Sequence, residues 1–186
     1  MAKLERAAIV GEALALLDDV GFDAVSTRRL AKRLGVEQPS LYWHFPRKAA
    51  LLSAMAEAAL APHATAPLPE PSDDWREWFL ENARSLRRAL LAHRDGARLH
   101  AGTRPQGEDL SRAIHKLEFL VASGVPRRDA RIAMLSAGHF TVGSVLEEQA
   151  DTSADDGEGP GMDRAEAFDA GVTLIIDGLA RRADRG

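Results

Sequence analysis

Between Ser26 and Leu52 the chain reads STRRLAKRLGVEQPSLYWHFPRKAALL, a run with the chemistry of a polyanion reader. Arg28, Arg29, Lys32, Arg33, Arg47 and Lys48 supply six cations, against the single acid Glu37. Gln38, Ser40, Tyr42 and His44 are short polar or aromatic groups of the kind that meet base edges in a major groove. Arg28 suits a guanine edge, while Thr27, Tyr42 and Lys48 suit phosphate oxygens, which fix register more than they specify sequence. Pro39 and Trp43 lie on the same short segment and complete the candidate DNA-contacting set. The competing reading makes these the solvated face of a small bundle, with Tyr42 and Trp43 as ordinary packing. The conjunction of length, glycine turn, basic exposure and a short second helix favours DNA.

A second constellation is sparser. His100 and Glu147 are of the right types to hold a hard cation, but they stand far apart in the sequence. Each also has an ordinary role available, His100 at the end of a short helix and Glu147 in solvent.

Those side chains need elements to position them. Leu4 to Val20 places Val10, Leu14 and Leu17 at helical spacing and stops at Gly21. Ser26 or Thr27 can cap a second helix to Leu34, with Leu30, Ala31 and Leu34 inward, and Gly35 suits a left-handed turn. A short helix from Gln38 to His44 tolerates Pro39 in its first turn. The next helix starts near Lys48 and is expected to stop before Pro62, with Ala61 to Asp74 a proline-rich linker. Helices are expected over Trp75–Ala92, Arg94–Ala101, Leu110–Ser123, Arg127–Glu148 and Ala165–Arg182. Asp151 to Asp163 is rich in Asp and Gly and reads as a loop. No β pattern or repeat emerges, so the expected fold is all-α.

Composition narrows the function. The 186 residues carry a net charge of −4, yet residues 1–50 are net +2 and the remainder net −6, an acidic body with a basic head. There is no cysteine, which removes thiolate chemistry and disulfides. No apolar run reaches membrane length and the first residues carry no secretory pattern, so the expectation is a cytoplasmic protein with no membrane partner. No phosphate-cradling glycine loop appears, and His100, His139 and Glu147 lack a nucleophile, which argues against an enzyme.

The run LAKRLGVEQPSLYWHFPRKAALL resembles the DNA-binding head of TetR-type transcriptional repressors, most closely those of the tetracycline-repressor branch. Arg87 to Ala97, His100, Gly102-Thr103-Arg104-Pro105 and Leu135 to Gln149 resemble that branch's central motifs. The resemblance implies a helix-turn-helix head over residues 1–47 and a helical body over 48–186 that binds an inducer and forms a homodimer. A palindromic double-stranded operator would be one partner and a small-molecule inducer the other. Mg2+ is implied only as a chelate with the inducer, ligated directly by His100 and through water by Thr103 and Glu147. Asn82 and His139 match polar pocket positions, and Arg104 and Pro105 match the turn after the short helix.

Three positions depart from that pattern. Ala64 replaces an inducer-anchoring histidine, with His63 one residue earlier and about 100° away on a helix. Leu86 replaces a phenylalanine, and Lys116 replaces a glutamine. A lysine there either prefers an anionic ligand group or turns out to solvent. The loop near 151–163 is also too short for the extra helix of that branch, which implies more open ligand access. The alternative is a sequence-specific DNA-binding regulator governed by a non-chelating ligand or by none, and an activator of the same build is equally compatible with the sequence. The long Arg127–Glu148 helix and the Ala165–Arg182 helix are the expected dimer surface.

Overall fold

A computed structural model describes residues 5–101, 103, 107–150 and 163–183. All regular structure among them is helical: α1 (Arg6–Val20), a 3-10 turn (Phe22–Ala24), α2 (Thr27–Leu34), α3 (Gln38–Tyr42) and α4 (Lys48–Ala64) lead. Then come α5 (Trp75–Leu91), α6 (Gly96–His100), α7 (Gly107–Ala122), α8 (Arg127–Ala150) and α9 (Arg164–Ala183). The all-α expectation holds. Among the described residues no helix is long and apolar enough to cross a membrane.

The chain divides into two compact units, Met1–Ala61 with Ala89–Thr103, and Pro62–Arg88 with Arg104–Gly186. In the first, the helical spacing of α1 buries Ile9, Val10, Ala13 and Leu17 against Leu30 and Ala31 of α2, Leu41 of α3 and Met55 of α4. Leu99 of α6 joins this core. The α2 turn forms as its residues dictate: the Ser26 Oγ accepts from the Arg29 amide at 3.2 Å, and Gly35 takes φ +65°. In the second unit, Trp75, Phe79 and Ala83 of α5 pack with Phe119 and Leu120 of α7. Ala130, Ala133 and Ala137 of α8 meet Phe168, Val172 and Ile176 of α9 in the same core.

One expected boundary is wrong. α4 does not stop before Pro62 but runs through it to Ala64. A proline removes one amide donor, here the one that would reach the carbonyl of Ala58. Ala58 is exposed, so water can replace that donor, and the final turn is held from outside by His63. Smaller shifts occur at α3, which ends at Tyr42 rather than His44, and at α7, which starts at Gly107 rather than Leu110.

Candidate functional site

The polar face of the head is organised by Gln38. Its side-chain amide donates to Thr27 Oγ1 at 3.0 Å and to the Tyr42 hydroxyl at 3.1 Å, so α2 and α3 present these three residues together. Arg28, Pro39, Ser40 and Lys48 are exposed, and Trp43 leaves 89 % of its surface in solvent at the end of α3. An indole that bare contributes nothing to the core, so the packing alternative for Trp43 is removed. His44 is half-buried, and its backbone carbonyl accepts from Arg6 at 3.3 Å.

An acid–base network that sequence reasoning missed ties α6 to α1 within the same unit. Asp18 accepts from the Arg94 amide at 2.9 Å and lies 3.0 Å from His93 Nδ1. Asp95, in a left-handed conformation at φ 56°, accepts the Phe22 amide at 2.8 Å. Arg98 grips both carboxylate oxygens of Asp23, at 2.8 and 3.1 Å, which holds that carboxyl below its ordinary pKa. Gly96 is enforced by close approach, since a Cβ there would lie 2.1 Å from the Leu90 carbonyl oxygen. Opposite charges about 75 residues apart leave no periodic trace, so no sequence signal exposes this set.

The effector-site residues fall into two groups. His100 and Thr103 belong to the first unit, where Thr103 Oγ1 lies 2.9 Å from His100 Nδ1. Burial pushes the His100 pKa below its ordinary 6.5, so the imidazole is neutral at pH 7. His63, Asn82, Leu86, Lys116, His139 and Glu147 belong to the second. There Lys116 Nζ donates to Asn82 Oδ1 at 2.7 Å, joining α7 to α5, and His63 Nδ1 meets Ser85 Oγ at 3.1 Å. Leu86 is half-buried, while His139 and Glu147 are exposed on α8. Arg104, Pro105 and the stretch 151–162 lie outside the described residues. Among the described residues, no group of three or more His, Cys, Asp or Glu side chains is placed to hold a metal ion. Two further residues emerge on α7: Arg112 donates to the Ala66 carbonyl, and His115 Nε2 lies 3.2 Å from that of Pro69. Together they pin the proline-rich segment after α4.

Known proteins share this build. Residues 9–55 match the bacterial regulatory proteins of the tetR family, and residues 67–160 match the tetracyclin repressor-like C-terminal domain. The tetracycline repressor protein class A from transposon 1721, of Escherichia coli, is 45% identical across 98% of this chain and 93% of its own length. A TetR-family transcriptional regulator from Streptomyces coelicolor is 62% identical, with 97% of both chains covered and a TM-score of 0.77. TetR class A in complex with 5a,6-anhydrotetracycline and magnesium is 46% identical, with 96% of this chain and 99% of that one covered and a TM-score of 0.83. With head and body both matched and relatives this similar over nearly their whole length, the chain belongs to the TetR family of DNA-binding transcriptional regulators.

Proposed function

We propose that the chain is a repressor that binds a palindromic operator as a homodimer and is released by a magnesium chelate of a tetracycline or related polyketide. Residues 1–47 form the operator head in this reading, and 48–186 the effector-binding and dimerising body. The observation that carries it is the His100–Thr103 pair. In the tautomer whose Nδ1–H donates to the Thr103 hydroxyl, Nε2 keeps its lone pair for a metal, and burial favours the neutral imidazole that ligates one. One imidazole and a hydroxyl are too few donors for a resident Mg2+, which prefers an octahedron of oxygens. They suit an ion that arrives with a chelating drug and its own water. The chelated ion, when bound, supplies positive charge and a directional octahedral geometry. Glu147, exposed on α8, is the second water-mediated contact in this reading, with Asn82, Arg104, Pro105 and His139 as further ligand contacts.

Dimerisation through α8 and α9 is supported by their apolar exposure. Ile132, Leu135, Phe140 and Leu146 of α8 and Leu174 of α9 are large hydrophobic side chains left in solvent by the single chain. Induction is then a population shift in which the ligand favours a dimer whose heads misfit the two half-sites.

The test is a titration of protein into tetracycline with and without Mg2+, read by drug fluorescence, alongside operator binding by gel shift. The expected result is Mg2+-dependent binding that releases operator and is lost in His100→Ala. Operator binding that ignores the drug, or drug binding indifferent to Mg2+ and to His100, would overturn the chelate.

A further inference from the structure

Lys116 holds a positive charge that its surroundings leave largely unanswered. It sits half-buried on α7, and Asn82 Oδ1 is its one hydrogen-bond partner among the described residues. An ammonium has three donors, so two remain unused. It has not turned out to solvent, which a four-carbon stem permits and which the desolvation of a charge favours. Arg112 and His115, on the same side of α7, reach the backbone carbonyls of Ala66 and Pro69 in the proline-rich segment. Asp109 is the acid near enough to support the charge, and Arg112 opposes it. Burial, reinforced by Arg112, pulls the Lys116 pKa down to about 8.

A fixed ammonium with two free donors, beside an amide whose NH2 has no partner among the described residues, matches the two oxygens of an anion. We infer that Lys116 and Asn82 form an anion-recognising subsite, so that the inducer presents a carboxylate or ionised phenolic oxygen to α5 and α7. The ammonium would bond one oxygen with charge assistance, and the Asn82 NH2 would donate to the other. A neutral carboxamide has one acceptor oxygen where a carboxylate has two, sets its NH2 against that of Asn82 and leaves a partly buried charge uncompensated, so the same pair discriminates against it. The inference rests on the reading that the body binds a small-molecule inducer, and it specifies the chemical class of that inducer at one end.

The probes are 4-fluorobenzoate and 4-fluorobenzamide, followed by 19F NMR on the full-length dimer at pH 7. Wild type should prefer the benzoate on the order of tenfold or more, the range of one charge-assisted hydrogen bond. Lys116→Arg should keep the preference. Lys116→Gln, which retains a side-chain donor for Asn82, should abolish it. In wild type the preference should also decline above about pH 8 as the ammonium loses its proton. Equal binding of the two probes, an unchanged preference in Lys116→Gln, or no benzoate binding at about 10 mM would each overturn the subsite. The third outcome counts because even a weak anion site registers at that concentration. The Mg2+–tetracycline titration reports the chelate separately. Drug binding without benzoate preference removes only the anion subsite, whereas benzoate preference without drug binding removes only the chelate.

Discussion

Replacing Gly96 and Gly11 by alanine should shift stability in opposite directions, and the structure sets the size of each shift. At Gly96 a Cβ would stand 2.1 Å from the Leu90 carbonyl oxygen and 3.0 Å from its carbon. Ordinary carbon–oxygen contact lies above about 3 Å, so the corner between α5 and α6 must open by about 1 Å, and the obstruction is backbone rather than a rotatable side chain. Overpacking of this kind costs about 1–3 kcal/mol. A chain of this size loses about 2–4 °C of melting temperature per kcal/mol, which gives a fall of about 2–12 °C. Gly11 lies within α1, and a Cβ there meets nothing within 4 Å. Alanine at that site should therefore add about 0.5–1 kcal/mol, raising the melting point by about 1–4 °C. Both changes restrict the unfolded chain alike, so their difference isolates the close approach at Leu90. Scanning calorimetry at one fixed protein concentration suffices, because dimerisation makes the melting point concentration-dependent. A Gly96→Ala protein melting at or above wild type would refute the reasoning.

Burial lowers the His100 pKa in the folded state below its unfolded 6.5, so the stability linked to its neutral form is present above 6.5 and is lost as pH falls through the folded value. Denaturant titrations at pH 7.5 and 5.5 should show a smaller acid loss in His100→Asn than in wild type, and equal losses would count against burial of the imidazole. Arg84 bonds both oxygens of Asp169 at 2.9 and 2.5 Å and depresses that carboxyl, so its contribution is present above the ordinary 3.8 and vanishes on acidification through the lower folded value. Because both partners are about a third or more exposed, Asp169→Asn should cost below about 1 kcal/mol at pH 7, and a larger loss would show a role beyond this pair. A Cβ at Gly171 would lie 2.4 Å from the edge of the Phe140 ring, which stacks on Phe168 with centroids 5.6 Å apart. Gly171→Ala should swing Phe140 off Phe168 and cost about 0.5–1.5 kcal/mol, the range of one aromatic pair. Denaturant titration would show it, and an unchanged stability would mean that the ring finds an equally good position.

What could be read in the sequence was what local physics decides. The core spacing of α1 and the Ser26 cap, Leu30 burial and left-handed Gly35 of α2 each follow from residues within one turn of one another. His100 and Thr103 stand three apart, close enough for a single turn to bring them together. Pro62 misled because a sequence shows the lost donor but not the exposure of the Ala58 carbonyl that loses it. Lys116 posed a choice between an anionic partner and solvent that spacing cannot resolve, because the deciding atom is Asn82 Oδ1, 34 residues away. The Asp18, Asp23 and Asp95 contacts were invisible for a related reason. Surface ion pairs carry no periodicity, and any acid in α1 pairs as well on paper with any base in α6.

The relative strengths of those contacts suggest how α6 is held to the head. The Arg98–Asp23 pair is exposed, with Asp23 leaving 82% of its side chain in water, and such pairs are worth little individually. The contacts that water cannot readily replace are the buried ones. Leu99 is 5 % exposed within the core that also contains Ile9, Leu17 and Leu30, and Gly96 abuts the Leu90 carbonyl without room for a methyl group. His100 is the next residue after Leu99, on a helix of only five residues. A ligand that pulls on the imidazole therefore cannot reorient it far without moving a side chain packed into the operator-binding unit. Close-packed interiors answer such a displacement by repacking to a second arrangement rather than by yielding smoothly. In the proposed repressor, the free energy of effector binding would thus reach the head chiefly through the Leu99 packing, while the polar contacts of Asp18, Asp23 and Asp95 fix the register of α6.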